Sequence, residues 1–348
     1  MMMPGRRRGA GGSGGQAAEA MPAAGPLGAR VTRRLVLAGL ALPAVARAQA
    51  WPDRPVRIVS PYPPGGSTDA LARLVAEGLR ARFGQPFVVE NRPGAGGAIG
   101  HNVVAQAAAD GGTLLFSAAG PLVVTPHTTA RLPYDALRAF QPVKLVASSP
   151  LVLMLRPNVP VADVRALVAL SHEKPGGLSY ASFGIGSSAH LCGEMFRAAT
   201  GAKLVHVPYN GSGPAVAGLL AGDTDFMFEV LASGLPHIQG GRVRAMAVTS
   251  AERSPFAPDV PTMQQQGVPG YEAGTWFGLL APAGTPAAVV ATLDQAMDGV
   301  MAEASFQAAL RAQSLLAIGG PPARFSAFLA SEYAKWGAAA RAAGIEPS

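Results

Sequence analysis

From Trp51 onward, short apolar runs alternate with stretches in which apolar residues recur every three or four positions. The runs are 56–59, 87–89, 113–116, 151–155, 178–180, 204–207, 225–228 and 243–248, each short enough to read as a strand. Between them, 70–83 places Leu71, Leu74, Val75, Leu79 and Phe83 on one helical face and Arg73, Glu77 and Arg80 on the other, with Gly84 to end it. A second helix is predicted over 188–200, burying Leu191, Cys192, Met195 and Ala199 and stopping at Gly201. Near the C-terminus, Thr285 is the expected cap and Pro286 the first residue of a helix to about 303, with further helices at 305–316 and 322–343. Alternation of this kind predicts α/β layers with largely parallel sheets.

Two extended segments, 143–156 and 243–250, flank a middle block of about one hundred residues. A chain that leaves one lobe, builds a second and returns through a paired connector makes a two-hinge clam. The expected division is a first lobe from 51–148 and 250–348 and a second from 149–249.

The N-terminal segment follows another pattern. Arg33 and Arg34 precede the apolar stretch 35–42, then Pro43 and Ala46-Arg47-Ala48, the three parts of a secretory signal. The apolar stretch falls short of the roughly 20 residues that span a bilayer, so cleavage is expected after Ala48 and the mature protein in the periplasm. Residues 1–30 are Gly/Ala/Arg-rich and bury no face, and translation is expected to begin at Met21 or Val31.

Composition sharpens this picture. The 348 residues are 49% hydrophobic and 14% charged, a balance that favours a folded chain. The net charge of +7 resembles that of a polyanion binder. However, seven of the 28 basic residues and one of the 21 acidic ones lie within 1–48, so the mature chain is close to neutral and nucleic acid is not the expected partner. The single cysteine, Cys192, excludes an internal disulfide and any multi-cysteine metal site, and it reads as a core residue.

Three segments carry candidate chemistry, each a glycine-rich loop between a strand and a helix start. The first is 61–69, with Tyr62, Pro64, Gly65, Gly66, Ser67, Thr68 and Asp69. Its prolines stiffen the turn, its glycines admit close backbone approach, and the helix that follows offers unpaired N–H groups at its positive end. The second is 182–190, where Ser182, Ser187 and Ser188 add hydroxyls around Gly184 and Gly186, with His190 on the first helical turn. The third, 208–214, brings Tyr209, Asn210, Gly211 and Ser212 to the start of a short helix at 215–220.

No Arg or Lys lies inside these loops, so the recognition they predict uses neutral dipoles, hydroxyls and bridging water. Asp69 is expected to cap its helix sooner than to touch a ligand, and His190 either donates to one or covers the turn. Trp276 and Phe277 read as core, with Trp276 alternatively walling the cleft.

Enzyme patterns fare poorly. Gly184-Ile-Gly-Ser-Ser-Ala189 satisfies a dinucleotide fingerprint, but the next strand ends His206-Val-Pro-Tyr209 without the acidic residue such sites carry. Within 51–348 neither a P-loop nor a G-x-S-x-G elbow occurs, and the six histidines lack metal-ligand spacing. The rival reading is a secreted hydrolase built on Ser187, Ser188 and His190.

The ordered motifs resemble those of the Bug/TctC family, the extracytoplasmic receptors of tripartite tricarboxylate transporters. They are Trp51-Pro-Asp-Arg-Pro-Val-Arg-Ile-Val59, Pro61-Tyr-Pro-Pro-Gly-Gly66 with Asp69, Glu90-Asn-Arg-Pro-Gly-Ala-Gly-Gly97, Gly184-x-Gly-Ser-Ser-x-His190, His206-Val-Pro-Tyr-Asn-Gly-Ser212 and Trp276-Phe-Gly-Leu-Leu-Ala-Pro282. The resemblance implies a two-lobed α/β periplasmic binding protein of type II, each lobe a mainly parallel sheet flanked by helices. It implies a small organic carboxylate held between the first loop and the second and third, with Ser117 and Ala118 as a further contact region. It also implies no catalysis and no cofactor or metal, a monomeric receptor, and membrane transporter subunits as partners.

Overall fold

Three parallel strands open the chain: β1 (Val56–Ser60) lies between β2 (Phe87–Asn91) and β3 (Thr113–Ala118), with helices α1 (Ser67–Phe83) and α2 (Ala98–Ala105) as the crossovers. The computed structural model describes residues 51–347, so the export signal, its cleavage site and the preceding low-complexity segment lie outside the described residues. After β3 come two tight helical turns, Gly120–Val124 and Thr125–His127, and then the long strand β4 (Phe140–Leu155).

The middle of the chain is α3 (Val164–Glu173), β5 (Leu178–Ser182), α4 (Ser188–Thr200), β6 (Leu204–Pro208), α5 (Ser212–Ala221), β7 (Phe226–Val230), α6 (Leu231–Gln239) and β8 (Arg244–Val248). It closes with β9 (Gly274–Pro282), α7 (Ala287–Ala302), α8 (Ala304–Ala312), β10 (Leu316–Ala317) and α9 (Pro322–Ala342).

The main path of the sheet runs β2-β1-β3-β9-β4-β7-β5-β6, with β8 and β10 also pairing β4. Its outer strands are parallel, as the alternation predicts, but β9 is antiparallel to both β3 and β4, and β4 is antiparallel to β7 and β8. The sheet is therefore mixed, because the chain crosses between its two halves on strands. Along β4 the partner changes from β9, ending at Pro150 opposite Gly274, to β7, starting at Leu151 opposite Val230. Thr249 closes the return crossing, with Oγ1 accepting from Leu151 N–H at 2.8 Å and lying 2.6 Å from the Ala273 carbonyl it donates to.

Apolar packing follows these halves. The outer face of the first buries Leu71, Val75 and Leu79 of α1 with Leu293 and Met297 of α7. That of the second buries Ala215 and Leu219 of α5 with Met227 and Val248. The opposite face is one core common to both, where Phe325 and Trp336 of α9 join Leu151, Leu153, Phe226 and Phe228. Trp276 belongs to this core, with Nε1 donating to Glu332. Lys144 is fully buried on β4, paired with Asp294 and, at 2.7 Å, with Asp298 of α7.

Local corrections have simple causes. Helix α1 starts at Ser67, since Gly66 holds the extended cap position. In α4, Phe196 turns inward and Ala199 is exposed. Pro286, not Thr285, holds the α7 cap position, because the Thr285 hydroxyl donates to the Pro282 carbonyl at 2.8 Å. Helix α8 ends at Ala312, and after a short turn Leu316–Ala317 form β10 against β4.

Candidate functional site

The strand register brings the two sets of strand ends together. Ala118, at the carboxyl end of β3, is level with Phe277 and hence with Ala147 on β4. Val230, at the carboxyl end of β7, is level with Leu151. Four residue steps along β4, about 13 Å of strand, separate the two levels. The helix starts after β1 and β2 therefore lie on one carboxyl edge and those after β5, β6 and β7 on another, facing each other across the middle of β4.

In the first loop, Gly65 has φ +90°, a conformation costly for any other residue, and its N–H donates to Asp69 Oδ2 at 3.0 Å. Asp69 is buried and also takes Arg73 Nε at 3.1 Å and Asn91 Nδ2 at 2.8 Å. Asn91 further donates to the Tyr62 carbonyl at 3.1 Å. Asp69 thus braces the loop from inside, bonding Gly65 where a cap would bond helix N–H groups. Gly65, Gly66, Pro64 and Ser67 remain exposed, Thr68 is buried, and Tyr62 is half-buried. Asn91, which sequence reasoning left without a role, is the tie between β2 and this loop.

Burial alone would raise the Asp69 carboxyl, but Arg73, Gly65 and Asn91 outweigh it and hold the group at about 2, below its ordinary 3.8. A depressed folded value means stability that is full above the unfolded value and lost as pH falls toward the folded one. Chemical denaturation between about pH 5 and pH 2 should show wild type losing about 2 kcal/mol more than Asp69→Asn. Parallel curves for the two proteins would show that the brace contributes nothing.

The second and third loops are welded together: Tyr209 N–H donates to the Ser182 carbonyl at 3.0 Å and Gly211 N–H to the Phe183 carbonyl at 3.1 Å. Ser187 caps α4, accepting from His190 N–H at 3.2 Å, and its own proton goes to the Gly184 carbonyl at 2.7 Å. His190 Nδ1 accepts from Gly186 N–H at 3.0 Å, and its ring stacks on His206 at 3.8 Å. Burial pushes both histidines down to about 4, so they are neutral near pH 7. Neither Ser187 nor Ser188, the nucleophiles of the hydrolase reading, shares a side-chain hydrogen bond with the His190 ring.

Other residues take supporting positions. Ser182 is buried, with its hydroxyl 2.6 Å from His206 Nε2 and bonded to Gly184. Ser117 is likewise buried, 3.0 Å from His101 Nε2, and Ala118 beside it is buried too. The Tyr209 ring folds back over α5 against Gly218, away from the edge it was expected to furnish. Asn210 is exposed, and Ser188, Gly184 and Gly211 are half-buried.

Ser212, at the start of α5, donates to Glu229 Oε2 at 2.7 Å, and Glu229 Oε1 accepts from Val230 N–H at 2.9 Å. Glu229 is fully buried, and desolvation raises its carboxyl to about 7 from an ordinary 4.5. Sequence reasoning missed it, since Phe226-Met-Phe-Glu-Val230 reads as a plain strand end.

The two edges also touch. A side chain on Gly186, at φ +73°, would come within 2.9 Å of Thr128, which follows the turns after β3. The His127 Nε2–H donates to the Tyr333 carbonyl at 2.9 Å, so α9 backs this contact. Among the described residues, no group of three or more His, Cys, Asp and Glu side chains is placed to share a metal ion.

Residues 71–345 match the model of the tripartite tricarboxylate transporter family receptor, TctC. BugT of Bordetella pertussis is 38% identical over 313 residues, covering 90% of this chain and 95% of its own. Among solved structures, an R. palustris protein with adipate has a TM-score of 0.75 and 35% identity, over 86% of this chain and 100% of its own. MatC from Rhodopseudomonas palustris with bound malate has a TM-score of 0.70 and 30% identity, over 83% and 99%. The facing helix-led edges, the shared strand and these matches agree: the chain belongs to the TctC family of solute-binding receptors.

Proposed function

We propose that this protein captures a small organic carboxylate in the periplasm and presents it, as a monomer, to membrane subunits of a tripartite tricarboxylate-type transporter. The observation that carries the reading is the pair of opposed edges across β4, each led by helix starts and glycine-rich loops with no basic side chain inside them. One carboxylate approaches over the exposed Gly65 and meets the backbone N–H groups of Gly66 and Ser67 at the positive end of α1. The remainder reaches Ser188 and the α4 and α5 starts opposite. A ligand spanning both edges favours the closed arrangement because only there are both sets of donors used, and neutral donors permit release. The lobes divide near Ser149 and Thr249, and the protein performs no chemistry on its ligand.

The test uses calorimetry with a panel of mono-, di- and tricarboxylates on wild type and Gly66→Val. A Cβ on Gly66 meets nothing within 4 Å, and its φ of −82° suits any residue, so the fold should tolerate valine. The added bulk projects into the space assigned to the carboxylate. Saturable binding by wild type, weakened about 100-fold or more at unchanged melting temperature, is expected. Undiminished affinity in the variant removes the first loop from the site, and substrate turnover lost in Ser187→Ala overturns the receptor reading.

A further inference from the structure

The lobe-2 edge holds a group that a carboxylate receptor does not obviously need. Glu229 is fully buried one residue before the end of β7, and among the described residues no Lys, Arg or His pairs with it. It alternates with Phe226 and Phe228, which face the common core, and so lies on the α5 and α6 side of the sheet. There α5 carries no ionisable residue, α6 carries only His237 in its last turn, and the adjoining half of β4 carries none. Arg244 of β8 is engaged with the Val159 carbonyl at 2.9 Å. On the opposite face, β5 contributes Tyr180 and α4 contributes His190, Glu194 and Arg197, with Tyr180 bonded to Glu194 at 2.7 Å and Arg197 paired to the same residue. The contacts of Glu229 are thus a neutral hydroxyl and one backbone N–H.

Its partner, Ser212, is a half-buried residue of the third loop and one of those the family resemblance gives to the ligand. A serine hydroxyl has one proton. While Glu229 is ionised, that proton is committed to Oε2 and Ser212 can offer a ligand only lone pairs. When Glu229 carries a proton on Oε2, the carboxylic acid donates to Ser212 and the serine proton becomes free to donate outward. One proton on Glu229 therefore reverses the polarity that the α5 start presents.

Building on the carboxylate-receptor reading, we propose that Glu229 sets specificity at the far end of the ligand. Ionised, it selects a hydrogen-bond donor there, such as a hydroxyl or ammonium group, and a second carboxylate enters only together with a proton. The ligand class favoured at neutral and higher pH is then a monocarboxylate with a donor group at its other end. A dicarboxylate becomes a pH-dependent ligand. The raised Glu229 carboxyl, at about 7, places this exchange in an accessible range.

The experiment is calorimetric titration of wild type, Glu229→Gln and Ser212→Ala with adipate and with the ω-hydroxy monocarboxylate of equal length. Titrations run from about pH 6 to about pH 8.5 in buffers of different ionisation enthalpy. Wild type should take up a proton on binding adipate and lose about 10-fold or more in affinity across the range, while the hydroxy acid changes less than about 3-fold. Glu229→Gln should bind adipate with no pH dependence and no proton uptake. A wild-type adipate affinity that is flat with pH, or a pH dependence retained in Glu229→Gln, overturns the specificity assignment and leaves the receptor reading intact. Failure of wild type to bind any member of the wider carboxylate panel overturns both.

Discussion

Replacing Lys144 by alanine should lower the free energy of unfolding by about 3–5 kcal/mol, the largest stability loss expected at a single polar position. Its ammonium is completely buried, with Asp294 and Asp298 on α7 and the Gly320 carbonyl at 3.1 Å as partners. Truncation leaves a cavity in the sheet and strands the Asp294 carboxylate, which is mostly covered. Asp298 is much more open, so water can replace the lysine there. Urea melts should therefore rank Lys144→Ala as severe, Lys144→Met as intermediate because it keeps the volume, and Asp298→Asn as mild. A loss below about 1 kcal/mol for Lys144→Ala would mean that the buried pair is energetically neutral.

Gly186→Val should reduce carboxylate affinity by about 100-fold or more, equivalent to about 3 kcal/mol. Two effects combine. The backbone at φ +73° disfavours a β-branched residue, and the new side chain collides with Thr128 from the opposite edge. The first effect distorts the serine-rich loop locally, while the second, under the closure proposed above, holds the two edges apart and so removes the state in which both share the ligand. The double variant Gly186→Ala with Thr128→Gly separates them: relief of the collision should recover part of the affinity lost in Gly186→Ala alone. Small-angle scattering with saturating ligand supplies the structural readout, since a blocked receptor stays as extended as the ligand-free protein. Wild-type affinity in Gly186→Val would show that closure does not pass through this contact.

Much of this architecture is legible in residue pattern. The strands β1, β2, β3, β5, β6 and β7 announce themselves as short apolar runs between amphipathic helices: β1, β3, β5 and β7 bury nearly all their residues, while the edge strands β2 and β6 stay partly exposed. Of the crossing strands, the extended segment 143–156 foreshadows β4, but its pairing is harder to see. The first half of β4 carries Pro142, Lys144 and Pro150, which look like loop or surface residues until α7 supplies carboxylates and Pro150 proves to sit where partners change. In β9 the apolar residues run without alternation from Trp276, so a core segment is evident and a strand is not.

Their glycines and their place between strand and helix mark the three loops in the sequence. What the side chains in them do was not legible. Asp69, Ser182 and Ser187 hold the loops in shape through bonds within the loops and, for the first two, through Asn91 and His206 on neighbouring strands, and Ser212 is held by Glu229 from a strand whose relation to α5 exists only in three dimensions. Thr128 likewise has no motif to mark it, because its importance is a distance to the other edge.

Strand order also governs when the molecule can assemble. β9 inserts between β3 and β4, yet it is made after the entire second half of the sheet. Until Gly274–Pro282 arrives, both neighbours present open edges and the common core lacks Trp276, as well as the later helix α9 that covers it. No early segment can therefore complete the shared core before the last third of the chain is present.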